Sequence, residues 1–98
     1  MPAVRIVDIR PAMRNIEVTG MITGMGQERE VDTRFGPARV ATATLEDDTG
    51  SIRLNLWRQQ IDLVKKGDAV RIVNAFTRTF GGQIELNIGK DGSIMVLS

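Results

Sequence analysis

The run Ala43-Thr44-Leu45-Glu46-Asp47-Asp48-Thr49-Gly50-Ser51-Ile52-Arg53-Leu54-Asn55-Leu56-Trp57 reads as two strands joined by a tight turn. The aspartates bond nearby backbone amides and the glycine takes the positive φ that lets a hairpin close. On the first arm, predicted over 39–46, Ala41, Ala43 and Leu45 share one face, and such small inward residues suit a narrow barrel. On the second arm the period of two sends Leu54 and Leu56 one way and Arg53, Asn55 and Trp57 the other. A soluble chain normally buries its large aromatics. The only tryptophan, set beside an arginine and an asparagine, therefore suggests a surface that stacks on something flat.

Upstream, a first strand is predicted over 16–23, with Ile16, Val18 and Ile22 inward and Gly20 in phase where a side chain would obstruct tight curvature. Residues 27–37 are too charged for a core and read as a polar loop closed by a Gly36-Pro37 turn. Downstream, 58–66 lose the alternation and place Ile61 and Val64 on one helical face, with Lys65 and Lys66 at the negative end of the dipole and Gly67 as C-cap. A fourth strand starts at Ala69, where Val70 and Ile72 fall out of phase with Val73 and Ala75, so a bulge is predicted near 72–74. It runs into Asn74-Ala75-Phe76-Thr77-Arg78-Thr79-Phe80-Gly81-Gly82, a second mixture of amide, arginine and aromatic. The fifth strand, 83–88, hides Ile84, Leu86 and Ile88 and shows Gln83, Glu85 and Asn87; residues 90–98 add a turn and a short strand.

Three strands, a short helix and two strands is the order of an OB-fold, an all-β five-stranded Greek-key barrel with the helix between strands three and four. Its binding face lies on strands two and three, flanked here by the loops 27–37 and 79–82.

Composition narrows the chemistry. Ninety-eight residues, 42% hydrophobic, make one domain over 1–98. With no cysteine and no histidine, disulfides, thiol nucleophiles, the usual zinc sets and the usual neutral-pH base are missing, so no catalysis and no cofactor is assigned. Glu46, Asp47 and Asp48 cluster carboxylates of the kind a Mg²⁺ ion accepts, but turn chemistry accounts for them more simply. No apolar stretch approaches the roughly 20 residues of a membrane span, and the first residues lack a secretory signal. A cytoplasmic location without membrane contact is expected. Net charge is only +1, so any affinity for nucleic acid must come from local arrangement; ten of the thirteen basic residues are arginine, which grips phosphate bidentately and stacks on bases.

The run from Ala43 to Trp57, the segment Val64-Lys65-Lys66-Gly67-Asp68, and Val70 through Asn87 together resemble the simple single-OB single-stranded DNA-binding proteins of archaea and their eukaryotic sensor relatives. They are similar also to single OB domains of archaeal replication protein A, and the opening Val7-Asp8-Ile9-Arg10-Pro11-Ala12-Met13 extends the likeness over nearly the whole chain. The resemblance implies that aromatics at Trp57, Phe76 and Phe80 stack on successive bases; relatives often carry tryptophan or tyrosine where Phe76 stands. Many members continue into a flexible polar tail that recruits partners, whereas this sequence stops at Ser98.

The candidate DNA-binding set is thus Trp57, Phe76 and Phe80 for stacking, Arg53 and Arg78 followed by Arg39 and Arg34 for phosphate or base planes, and Asn55 and Asn74 for base edges. Plainer readings stand beside these. Trp57 packs under the following helix; Phe76 and Phe80 plug a barrel end; Phe35 anchors a loop; Asn55 and Asn74 satisfy strand-edge backbone; Arg58 and Arg71 are solvated charges. The expected ligand is single-stranded DNA, bound by a nucleoid-associated monomer alongside replication and repair proteins. The rivals are single-stranded RNA on the same face, or a module whose main partner is a protein subunit of a replication complex.

Overall fold

Alternating branched and polar residues give each strand one apolar side, and a closed sheet is the way to bury all those sides together. The computed structural model describes residues 3–98. Six strands, β1 (Ile16–Met25), β2 (Arg29–Thr33), β3 (Gly36–Asp47), β4 (Gly50–Trp57), β5 (Ala69–Phe80) and β6 (Gln83–Val96), are accompanied by a 3-10 turn, Ile6–Asp8, and a single helical turn α1, Gln60–Leu63. Strand β1 pairs with both β3 and β5, β5 with β6, β6 runs parallel to β4, and β4 pairs with β3, so five strands close a barrel and β2 lies outside on β3. This is the all-β OB-fold.

The core follows the alternation. Ile16, Val18, Ile22, Ala43, Leu45, Leu54, Leu56, Val70, Ile72, Ala75 and Leu86 are sealed inside, with Ile6 and Ile9 packed on them. Gly20 matters for the reason its phase implies: a Cβ there would stand 2.8 Å from the Glu46 carbonyl oxygen and 3.1 Å from the Leu45 side chain, where β1 crosses from one neighbour to the other. The bulge falls at Asn74, whose φ is 60°, and four residues of β6 between Ile88 and Ser93 loop opposite it.

Three expectations change. The polar segment 27–37 is largely an edge hairpin: β2 pairs residue for residue with β3, and the reversal sits at Arg34-Phe35 rather than Gly36-Pro37. Its charges are those of a strand held by backbone pairing instead of burial. The helix is shorter than 58–66. Arg58 takes φ 55° to leave β4, Val64 is extended, and the Lys65 amide donates to Asp68 Oδ2 at 3.0 Å, so a turn replaces the last helical residues. Gly67, at φ 98°, donates its amide to the Ile22 carbonyl instead of capping a helix. The terminal residues continue β6 as one bulged strand. No helix among the described residues is long and apolar enough to cross a membrane.

Candidate nucleic-acid interface

Register builds the outer face of β3, β4, β6 and β5 as rows of cross-strand neighbours. Val40 lies opposite Trp57; the next row is Thr42, Asn55, Asn87 and Phe76; the next is Thr44, Arg53, Glu85 and Arg78; Phe80 lies beyond, opposite Gln83. A groove of about 1440 Å³ runs over these rows and reaches the Arg34-Phe35 turn. All four aromatic rings of the chain, Phe35, Trp57, Phe76 and Phe80, line it. So do Arg29, Arg34, Arg53, Arg58, Arg78 and Lys90, six of the thirteen basic residues, against one of the twelve acidic residues, Glu85.

The rings differ in how firmly they are held. Trp57 is half-buried: its backbone amide donates to Gln60 Oε1 at 2.9 Å and its indole Nε1 donates to Asn87 Oδ1 at 3.2 Å. It is neither a free surface ring nor sealed in the core. Phe76 is also half-buried, with the Arg78 guanidinium carbon 5.9 Å from its centroid. Phe80 and Phe35 are 72% and 84% exposed, and Arg34 stands 6.0 Å from the Phe35 centroid. These separations lie at the outer edge of cation–π contact. Two outward phenylalanines on a groove rim are costly in water and available to a flat ligand.

The floor is polar and largely self-satisfied. Asn55 is buried, in contrast to the open position its phase suggested: its Oδ1 accepts from the Thr42 hydroxyl at 2.8 Å and its Nδ2 donates to Glu85 Oε1 at 2.9 Å. Glu85 Oε2 lies 3.6 Å from Arg53, so that arginine is half-exposed and partly neutralised from below. Arg78 and Arg34 have no carboxylate partner within ion-pair distance among the described residues.

Two candidates lie elsewhere. Arg39 is turned to the other side of β3, bonding Glu28 Oε1 at 3.2 Å, Asp62 Oδ2 at 3.0 Å and the Arg58 carbonyl at 3.3 Å. The Asp62 hydrogen bond, with the charges of Asp62 and Glu28, raises its pKa and ties β3 to α1. Asn74 sits at the bulge and borders a neighbouring depression with Asn15 and Lys90 instead of the groove. Conversely, Phe35 and Arg58, read from sequence as anchor and surface charge, line the groove, as do Glu85 and Asn87. The outward phase of Glu85 and Asn87 was available in the alternation of the fifth strand; the parallel pairing with β4 that joins them to Arg53 and Asn55 was not.

No cluster of three or more histidine, cysteine, aspartate or glutamate side chains that could hold a metal ion occurs among the described residues. Asp47 is committed to the turn. Its Oδ1 accepts from the Thr49 amide and hydroxyl and the Gly50 amide, and its Oδ2 accepts from the Ile6 amide at 2.9 Å. Burial pushes its pKa up, but those four hydrogen bonds outweigh it and hold the carboxyl below its ordinary value.

The chain is similar to known proteins in sequence and in fold. The chain is 31% identical over 90 residues to the single-stranded DNA-binding protein Ssb of Saccharolobus solfataricus, covering 92% of this chain and 61% of that one. It is 32% identical over 91 residues to a replication factor A of Methanothermobacter thermautotrophicus, covering 92% of this chain and 12% of that one. It therefore spans only part of both relatives. Among solved structures, the OB domain of a Thermoplasma acidophilum protein superposes with a TM-score of 0.85 at 29% identity, covering 97% of this chain and 86% of that chain. A replication factor A related protein from Methanobacterium thermoautotrophicum superposes at 0.80 with 28% identity, covering 98% of this chain and 91% of that chain. The family model described as single-stranded DNA-binding protein Ssb-like, OB fold, matches residues 6–96, and the chain belongs to that family.

Proposed function

We propose that the groove binds single-stranded DNA with little sequence preference, protecting and organising exposed strands during replication, recombination and repair. One observation carries this reading: every aromatic ring and nearly half of the cations of a chain with net charge +1 meet in one groove. Bases stack on Trp57, Phe76 and Phe80, each stack contributing about 1–3 kcal/mol whatever the base, because every base has a π-face. Arg78 and Arg34, free of carboxylates, take phosphates first; Arg53 contributes less while Glu85 holds it. Duplex DNA presents no unstacked bases and lacks the main contacts.

Anisotropy of a labelled oligothymidylate tests this against a duplex of equal length and a matched RNA. Tight binding of the single strand, weak binding of the duplex, and a slope of log affinity on log salt of about −2 to −3, at about −0.7 per phosphate, are expected. Equal affinity for RNA extends the ligand class. Failure to bind any strand at low salt refutes the reading and leaves a protein-interaction module.

A further inference from the structure

The row Thr42, Asn55, Asn87 and Phe76 contains two asparagines side by side on parallel strands. Their hydrogen bonding is unequal. Asn55 uses both ends of its amide, whereas Asn87, 6% exposed, uses only one: Oδ1 accepts from the Trp57 indole at 3.2 Å, and Nδ2 is buried with no acceptor among the described residues. The orientation is not interchangeable. An indole N–H can only donate, so the oxygen must face Trp57 and the NH₂ must face away from it. A buried donor without a partner is costly and uncommon.

Resting on the single-strand reading above, we propose that Asn87 is a specificity-determining residue: its Nδ2 donates to a carbonyl oxygen on the edge of the base seated between Trp57 and Phe76. That one seat accepts thymine, uracil, cytosine and guanine, each of which carries a ring carbonyl, and disfavours adenine, which carries none, while stacking elsewhere in the groove stays indifferent to the base, so that the preference over a mixed strand is small. The incoming base reaches the nitrogen by parting the side chains of the groove floor. The same amide holds the indole through Oδ1, so one residue orients the stacking ring and reads the base upon it.

The probe is an oligothymidylate compared with an oligomer of equal length whose thymines are replaced by difluorotoluene, which keeps thymine's shape but has fluorines in place of the carbonyl oxygens. The intact protein should bind natural thymine about tenfold more tightly, the discrimination expected of one neutral hydrogen bond. Asn87→Leu should bind the two oligomers alike. Asn87→Asp keeps an acceptor for the indole but loses the donor, and it too should lose the preference. Equal binding of both oligomers by the intact protein overturns the proposal without any variant. So does a preference that survives Asn87→Leu, or one lost in Asn87→Leu but kept in Asn87→Asp, which would mean the amide acts only by positioning Trp57. Absence of binding to oligothymidylate itself is a distinct result, overturning the single-strand reading and this inference with it.

Discussion

Among the three proposed stacking rings, replacing Phe80 with alanine separates binding from folding most cleanly, because Trp57 and Phe76 are half-buried. With the residue 72% exposed, only about a quarter of a roughly 200 Å² aromatic surface leaves water, which at about 25 cal/mol per Å² is at most about 1.3 kcal/mol of folding free energy. In a domain of this size that lowers Tm by no more than about 10 °C. The ring is otherwise free to stack, and losing one base contact of about 1–3 kcal/mol weakens oligothymidylate binding about 5- to 150-fold. Thermal unfolding gives the first quantity, and fluorescence anisotropy at fixed salt, well below Tm, gives the second. An affinity within about twofold of the parent, with folding unchanged, would show that Phe80 is not a stacking platform. A large loss of stability would show that the ring supports the barrel. Trp57 cannot serve for this separation, because its indole is half-buried and bonded to Asn87.

Arg39→Ala removes a cation already engaged by Glu28 and Asp62, so strand affinity should stay within about twofold while Tm falls slightly; a drop as large as that of Arg78→Ala would return Arg39 to the binding set. Asp47→Asn bears on acid stability. The folded-state pKa of Asp47 is depressed, so its contribution is complete above the unfolded value of about 4 and is lost as pH falls through that value toward the folded one. The variant should be less stable at pH 7 by about 1 kcal/mol and should show a shallower loss between about pH 5 and 3. Urea unfolding at both pH values checks this, and an unchanged pH dependence would exclude Asp47 as a titrating contributor.

The barrel was legible in the sequence wherever burial imposes alternation. Ile16, Val18 and Ile22, the small face of β3, and the phase slip at Asn74 all fall where their periodicity predicts. What stayed hidden has no burial signal. Strand β2 is fixed by backbone bonds to β3 and none of its side chains is fully buried, so its composition is that of a loop. The helix shortened because Asp68 offers the Lys65 amide a competing acceptor, a contact invisible to helical periodicity. Asn55 was placed on the correct face but not at the correct depth, since only the parallel pairing of β4 with β6 reveals Glu85 and Asn87 beside it. Arg39 alternates in step with neither Arg53 nor Trp57 across the hairpin: its partner in β3–β4 pairing would be Arg58, which carries the reversal out of β4.

The indole is the sole tryptophan of a chain without tyrosine, and it lines the groove while donating to Asn87. Titrating the unmodified protein with oligothymidylate at low salt while following its emission reads that one ring directly. Saturable quenching, reversed by added salt, is the predicted result. Emission that stays constant while an independent label reports a bound strand would mean that DNA lies elsewhere on the barrel and that the groove is not its seat.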